Sequence, residues 1–580
     1  MRFPIVLIAW LTLSKILVGS DYEMIYSSYF GGEYFEQARD IAVDLEGNIY
    51  VTGGTSSYSF PVTDNAYEKM YKDQSTSLVG SWGPMMVFVA KFSPFGELLW
   101  STYLGGPNYD RAYGIEVDSE GFVYVGGRAG EGFPTTSGSL QPNFAVQGQK
   151  NNLYGHQNGF ITKLTPDGSS IVWSTYYGSD SFGFFRDIDV DDQGAVYGVL
   201  NAVLSTPSGI DSDAAISQRP GWFDMVVVKI VPDGSAVEWA TFLGGSGEDR
   251  GGPSIKVGND KTVYVGGSTK STDFPTTSEA FQRENKGGSD VFITRIADDG
   301  KSFIYSSYYG GSLNESSETH GINVDIHGNV YYACASHSSD IPMLASSYQG
   351  IKPSDKSDIV LFKMNSDGSK LVGSTYFGGA DSDYPEGIYL HNGGDVSVAG
   401  GTRSIDIPVT SSLHNTNAGG SDGIIARFNA DLTELVFSGY FGGSGDESIR
   451  AFNGHGGYLY TGGQTSSTDL VTSPTAIQSQ HASPNNKEDV FLTVFSENAS
   501  SIQQTLHNKL LAYPSATNGS LNILLPIEGV AFNVEVYDIK GRLYHKTKTN
   551  KQLQIALPKN SYLIRFSRKG FVHVQKVIVN

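Results

Sequence analysis

An all-β fold is predicted for this chain: a seven-bladed β-propeller whose N-terminal strand closes the last blade, followed by a small immunoglobulin-like β-sandwich. Three observations carry that expectation. One motif, an aromatic residue, Ser or Thr, Tyr or Phe and a Gly pair, recurs seven times, with central aromatics at 29, 103, 176, 242, 308, 376 and 440. Gly (70 of 580 residues), Tyr (33) and Phe (31) suit short strands joined by tight turns, and no helical periodicity follows the first 20 residues. The composition also changes sign along the chain: 505–580 hold eleven basic and three acidic residues, whereas 21–504 hold 27 and 57.

The copies run from Tyr26-Ser-Ser-Tyr-Phe-Gly-Gly32 and Trp100-Ser-Thr-Tyr-Leu-Gly-Gly106 to Phe437-Ser-Gly-Tyr-Phe-Gly-Gly443, at spacings of 64 to 74 residues. A unit of that size made of short strands cannot bury both its faces alone, so repeats must pack on one another. Each repeat holds four strand-like segments. The third, as in Val87-Phe-Val-Ala-Lys-Phe92 or Met225-Val-Val-Val-Lys-Ile230, is apolar on both sides of the pleat and needs a sheet covered on both faces. Asp44-x-x-Gly47, Asp118-x-x-Gly121 and Asp325-x-x-Gly328 read as turns between first and second strands, and Asp167-Gly168, Asp233-Gly234, Asp299-Gly300 and Asp367-Gly368 as turns between third and fourth. A ladder of calcium loops is the alternative for these aspartates, but dense oxygen-ligand spacing is lacking. No cofactor is expected, with Ca2+ the one cation kept open.

The strand count sets the closure. Seven sets of the first three strands follow one another, the last ending at Val490–Phe495, with no fourth strand after it. A lone fourth strand, Tyr26–Phe30, precedes the first set, so it is expected to complete blade seven and leave no open edge.

Four regions follow: a secretory signal at 1–20, the propeller at 21–497, a polar linker at 498–509 and a C-terminal domain at 510–580. Residues 1–20 have a basic start, an apolar stretch interrupted by Lys15 and small residues at the end; the run is short for a membrane span. The single Cys334 excludes an intrachain disulfide and is expected to be a small buried residue. A body with 57 acids against 27 bases disfavours nucleic acid and anionic membrane as partners.

Several of these motifs recur in fixed order: the Trp-Ser-Thr-Tyr-Leu-Gly-Gly copies, then Gly-Ile-x-Val-Asp-x-x-Gly-x-Val-Tyr-Val-x-Gly, then Asp273-Phe-Pro-Thr-Thr277 and Ala280-Phe-Gln282. Over about residues 22–497 the chain thereby resembles the SBBP-type seven-bladed β-propeller repeat, a resemblance that implies a fold and an exported location but no defined reaction. Blade three departs most, with Ser179 in place of the second Gly and Thr206-Pro207 in place of the Phe-Pro step. Tyr513-Pro514, Val536-Tyr-Asp538 with Gly541-Arg542, and the closing Lys576-Val-Ile-Val-Asn580 resemble the type A sorting domain of the type IX secretion system. That resemblance implies the secretion machinery as a partner of 510–580 and a secreted or surface-attached product. Ser515-Ala516 replaces the usual Asn-Pro, and Asn560-Ser561 the usual Gly before the late Tyr.

No catalytic constellation stands out. The 11 histidines show no metal-ligand spacing, and there is no Gly-x-Ser-x-Gly elbow, His-Glu-x-x-His or phosphate loop. The loops from fourth to first strand should share one face around the channel mouth, and there Arg39, Arg111, Arg186, Arg250 and Arg450 stand out in an acidic protein. They form either a ring of inter-blade ion pairs or a polar ligand site. The enlarged second-to-third strand loops of blades one and two add Trp82 and Tyr154, as binding aromatics or as packing residues. The favoured function is a binding or adhesion module for a glycan or surface polymer; the alternatives are a glycosidase- or lyase-type enzyme and a structural surface-layer component.

Overall fold

The computed structural model describes residues 22–497 apart from 74–83, 146–153, 181–182, 204, 250, 319, 411–414 and 484–486, together with the strands within 511–579. The proposed signal at 1–20, Trp82 and Arg250 lie outside the described residues. The chain divides into two compact units, Met1–Ser496 and Glu497–Asn580.

The first unit is a propeller of seven antiparallel sheets. Six blades are built in chain order from the centre outward, starting from the strands Glu36–Val43, Arg111–Val117, Phe184–Val190, Gly251–Val257, the split strand Glu315–Ser316 and Ile322–Val324, and Asp383–Leu390. The seventh takes its first three strands from Glu447–His455, Tyr458–Thr465 and Asp489–Glu497, and its fourth from Tyr22–Phe30 at the other end of the chain. The closure expected from the strand count is therefore present. Tyr29 Oη donates to Ser467 O at 2.9 Å and accepts from Leu470 N at 2.9 Å, anchoring that strand to the loop of blade seven.

The repeated motif has a mechanical explanation at every position. Its leading aromatic lies on the third-to-fourth turn of the next blade: Trp100 on Gly168, Trp173 on Gly234, Trp239 on Gly300. The indole Nε1 donates across the junction, to Pro166 O at 3.0 Å, Pro232 O at 3.0 Å and Asp298 O at 2.7 Å. The central Tyr bonds its own blade's outer loop, as Tyr103 Oη does to Ser57 O at 2.8 Å and from Phe60 N at 3.1 Å. In blade three that residue is Phe242, which has no hydroxyl, and the Phe-Pro step it would hold is the one missing there.

The second Gly donates its N–H to an acid that opens the next inner strand: Gly106 to Asp110 at 2.7 Å, Gly245 to Asp249 at 2.7 Å, Gly443 to Glu447 at 2.8 Å. Where Ser179 replaces that Gly, the acid's place is taken by Gly183. The turn aspartates act as expected of turn formers: Asp44 Oδ1 accepts from Glu46 N and Asn48 N, both at 2.9 Å. Apolar cores lie between neighbouring blades, one of them joining Tyr124, Ile161 and Trp173 of blade two to Ile188 and Val226 of blade three. Cys334 is fully buried in such a core.

In the second unit Leu511–Pro514, Ser520–Leu524 and Leu553–Ala556 form one sheet. Leu543–Thr549, Phe532–Asp538, Asn560–Arg568 and Phe571–Val579 form another. Two residues of the Tyr-Asp…Gly-Arg signature tie the ends of two of these strands together: Asp538 Oδ1 accepts from Arg542 N at 2.8 Å and Asp538 N donates back to Arg542 O at 2.9 Å.

Candidate functional site

The innermost strands do not run evenly. Six of them slip register at one place, around Arg39, Tyr113, Arg186, Gly252-Pro253, Glu386 and Arg450. The seventh, in blade five, is broken outright between Ser316 and Ile322, the stretch that holds Glu318 and His320. A β-bulge takes a residue out of the ladder and re-aims its side chain. Repeated around the ring, it takes one side chain out of the ladder in each of blades one, two, three, six and seven.

The cations gather around one ring. The guanidinium carbons of Arg39, Arg111, Arg128 and Arg186 lie 5.2, 4.7, 5.2 and 5.0 Å from the centroid of Tyr113. Two arginines have carboxylate partners: Arg186 Nη2 meets Glu318 Oε2 at 3.1 Å and Arg450 Nη1 meets Glu386 Oε1 at 2.9 Å. These are ion pairs across blades, three to five and seven to six. Arg39, Arg111 and Arg128 have no carboxylate within ion-pair distance among the described residues. They are only 4%, 8% and 5% exposed, and their Nε atoms are buried without a hydrogen-bond partner.

Burial opposes ionisation of Tyr113, but Arg111, Arg128, Arg186 and Arg39 outweigh it and bring the phenol down to about 7. Burial, and then Arg450, Arg111 and Arg186, push Arg39 down to about 9. On the far side of the mouth Glu318, Glu386 and Arg450 border a cavity of about 430 Å³ together with Tyr384, Gln464 and Glu488.

Asp40, Asp187 and His320 form a second buried cluster, linked to Tyr113 through its carbonyl. His320 has a left-handed backbone, φ 66°, and its Nε2 lies 3.1 Å from the Tyr113 carbonyl. Its Nδ1 is 3.6 Å from Asp40 Oδ1 and 3.4 Å from Asp187 Oδ1. Asp40 and Asp187 each also accept the backbone N–H of the next blade, Ile115 at 2.7 Å and Ile255 at 2.9 Å. Desolvation would lower the imidazole, yet the two aspartates raise it to about 9. Their ligand atoms lie within 4.8 Å of one another, a spacing that a cation could use. An imidazolium donating from both nitrogens accounts for the same geometry, so this trio reads as a charged brace joining five blades.

The sequence-derived candidates divide accordingly. Arg39, Arg111, Arg186 and Arg450 come together at the mouth. Tyr154 is half-buried, with its ring 4.4 Å from the Arg128 guanidinium and 4.9 Å from the Tyr109 ring, so it backs the cluster rather than standing as a free shelf. Sequence reasoning missed Tyr113, Arg128 and the pairing of Glu318 and Glu386. Two signals mark them. Bulge residues fall three positions after the opening acid, as in Glu36-x-x-Arg39, Asp110-x-x-Tyr113, Glu315-x-x-Glu318, Asp383-x-x-Glu386 and Glu447-x-x-Arg450. Arg128 is the one cation at a place where four repeats carry the small residues Gly54, Ser268, Ala335 and Gly401 and two carry Asn201 and Gln464.

Residues 25–61 and 99–134 match the SBBP beta-propeller repeat, and 511–580 match a secretion system C-terminal sorting domain. The seven-bladed propeller thus carries SBBP repeats in its first two matched stretches, and the C-terminal unit carries a sorting domain. The tail, of the type IX system, marks the protein for export, to be secreted or attached at the cell surface. Among the described residues no helix is long and apolar enough to cross a membrane. One curated relative, the regulatory protein FlaEY of Caulobacter vibrioides, is 24% identical over 311 residues. That match takes in 50% of this chain and 30% of FlaEY, so the SBBP propeller spans under a third of its relative's length. Similar solved structures include the WD40 β-propeller domain of Doa1 (TM-score 0.38, 10% identity, 83% of this chain and 99% of that one). Another is an ulvan lyase from a polysaccharide lyase family (TM-score 0.40, 11% identity, 75% and 92%).

Proposed function

We propose that the protein is an exported binding module that engages a glycan or surface polymer at the mouth of its propeller channel. The observation behind this reading is the ring of bulged residues, because bulges set side chains free of the sheet ladder at the one place where all seven blades converge. Two ion pairs alone would serve to hold blades together. Three further buried guanidinia without carboxylates are a cost to folding unless something outside the chain meets them.

The test is retention of the secreted protein on a panel of immobilised polysaccharides and cell-surface polymers. Arg450→Gln with Glu386→Gln removes one pair and keeps the local charge balance; it should weaken binding while leaving the melting temperature nearly unchanged. Absence of retention on every polymer, or equal retention of the double variant, refutes the reading.

A proton-transfer enzyme is the second reading, favoured by the lowered Tyr113 phenol at the centre of the cluster. A bound polymer that is shortened by the parent protein but left intact by Tyr113→Phe would establish it. A polymer retained without shortening leaves binding as the function.

A further inference from the structure

We infer that the group recognised at the channel mouth is an anion, the carboxylate or sulfate ester of an acidic glycan, seated against Arg39, Arg111 and Arg128. The inference rests on the binding reading above and gives its ligand a chemical class. Three guanidinia share one small volume, each more than nine-tenths buried, each with Nε buried and unpartnered. A guanidinium is a planar fork of N–H donors with no acceptor, and the groups that match it are carboxylate, sulfate and phosphate. Like charges held around one phenol ring repel each other, and after burial itself the neighbouring arginines push Arg39 down further. A bound anion relieves that repulsion. Tyr113 as a phenolate can offset one positive charge, which leaves more than one unmet.

The rest of the mouth selects among anions. Across from the arginines stand Glu318, Glu386 and Glu488, at the rim of the cavity of about 430 Å³. Carboxylates accept hydrogen bonds from hydroxyl groups and repel anions of every kind. Glu318 and Glu386 are paired with Arg186 and Arg450, and Arg403 lines the same cavity, yet with Asp446, Glu447 and Glu488 this side stays acidic overall. Unpaired guanidinia on blades one and two facing such a rim fit a ligand with an acidic group at one end and hydroxyls at the other. A uronate or a sulfated sugar has that pattern. A nucleic acid, with a contiguous row of phosphates, would meet the acidic rim and a chain of net charge −20.

The test compares pectate, carrageenan and neutral dextran as ligands of the secreted protein by titration calorimetry. Pectate tests the carboxylate and carrageenan the sulfate ester. One or both acidic polymers should bind and dextran should not, and binding should weaken as salt rises. Arg39→Gln and Arg128→Gln should each lower affinity about tenfold or more, the scale of one lost charge-assisted contact. Arg128→Lys, which keeps the charge, should fall between. Dextran binding as tightly as pectate, or folded Arg39→Gln binding unchanged, overturns the anion inference and leaves the mouth-binding reading standing. If no polymer binds, melting temperature is followed in sodium sulfate against sodium chloride at equal ionic strength. A saturable rise in sulfate that Arg39→Gln abolishes supports an anion site while the polymer reading falls. No difference between the two salts overturns both.

Discussion

The clasp between blades can be tested at a single hydrogen atom. Gly234 has φ of 69°, and a Cβ built on it would come within 2.4 Å of the Trp173 ring. Trp173 is 5% exposed and donates Nε1–H to Pro232 O at 3.0 Å, so the indole has no room to retreat without giving up that bond. Gly234→Ala therefore carries three penalties. The left-handed backbone costs about 1–2 kcal/mol with a side chain in place. Displacing a packed indole adds about 1–3 kcal/mol of overpacking, and the lost hydrogen bond about 1 kcal/mol. The sum is about 3–6 kcal/mol. Gly138 is the control: its φ is 85°, and a Cβ there would meet nothing within 4 Å. Gly138→Ala should show only the backbone penalty, about 1–2 kcal/mol. Equilibrium urea unfolding, followed by tryptophan fluorescence and circular dichroism, gives both values. If the two substitutions cost the same, the indole is not clamped by the turn and the explanation of the leading aromatic fails.

Two further outcomes are expected. Removing 22–30 takes away Tyr22, Tyr26, Tyr29 and Phe30, all at most 2% exposed, and at about 1.5–3 kcal/mol for each buried aromatic the loss should be several kcal/mol; unchanged thermal unfolding would refute closure by that strand. Stability should also fall as pH rises from about 4 to 9. Burial raises Asp290, Asp383, Asp422 and Asp489 to about 6 and Glu36 to about 8, and the aspartate partners raise His320 to about 9 against burial. Each folded-state value lies above its unfolded one, so the folded chain holds more protons in this window, and the contribution is lost as pH passes each folded value. Calorimetric melting at pH 4.5, 6.5 and 8.5 checks the order, and a melting temperature that climbs across this series contradicts it.

The blades were legible in the sequence because one mechanical solution is written out seven times. A Trp that clamps the next turn and a Gly whose N–H must reach an acid leave the same letters in each copy. Even the exception was legible, since Ser179 and the missing Phe-Pro step mark the blade where both bonds change. The site was legible only in part. Loop position brought out Arg39, Arg186 and Arg450, because the repeat register places them near the mouth. Tyr113 is one of 70 aromatic residues and looks like core. Arg128 ends a second strand, and its approach to Tyr113 comes from the bulge in the adjoining strand, between Ala112 and Gly114. The partner of Arg186 lies 132 residues away, two blades on, and that of Arg450 64 residues away, on the neighbouring blade. Contacts of that kind depend on how the inner strands of different blades converge, which no local pattern records.

The bulges carry one more consequence. A residue that sits outside the hydrogen-bonded ladder can change without disturbing the blade that holds it, and blades one, two, three, six and seven already present Arg, Tyr, Arg, Glu and Arg at the equivalent place. On the proposed binding reading, recognition is thus kept apart from folding. The propeller would be a chassis with a row of exchangeable bits, in which a new ligand preference is reached by single substitutions at fixed addresses while clasp, turn and core stay as they are.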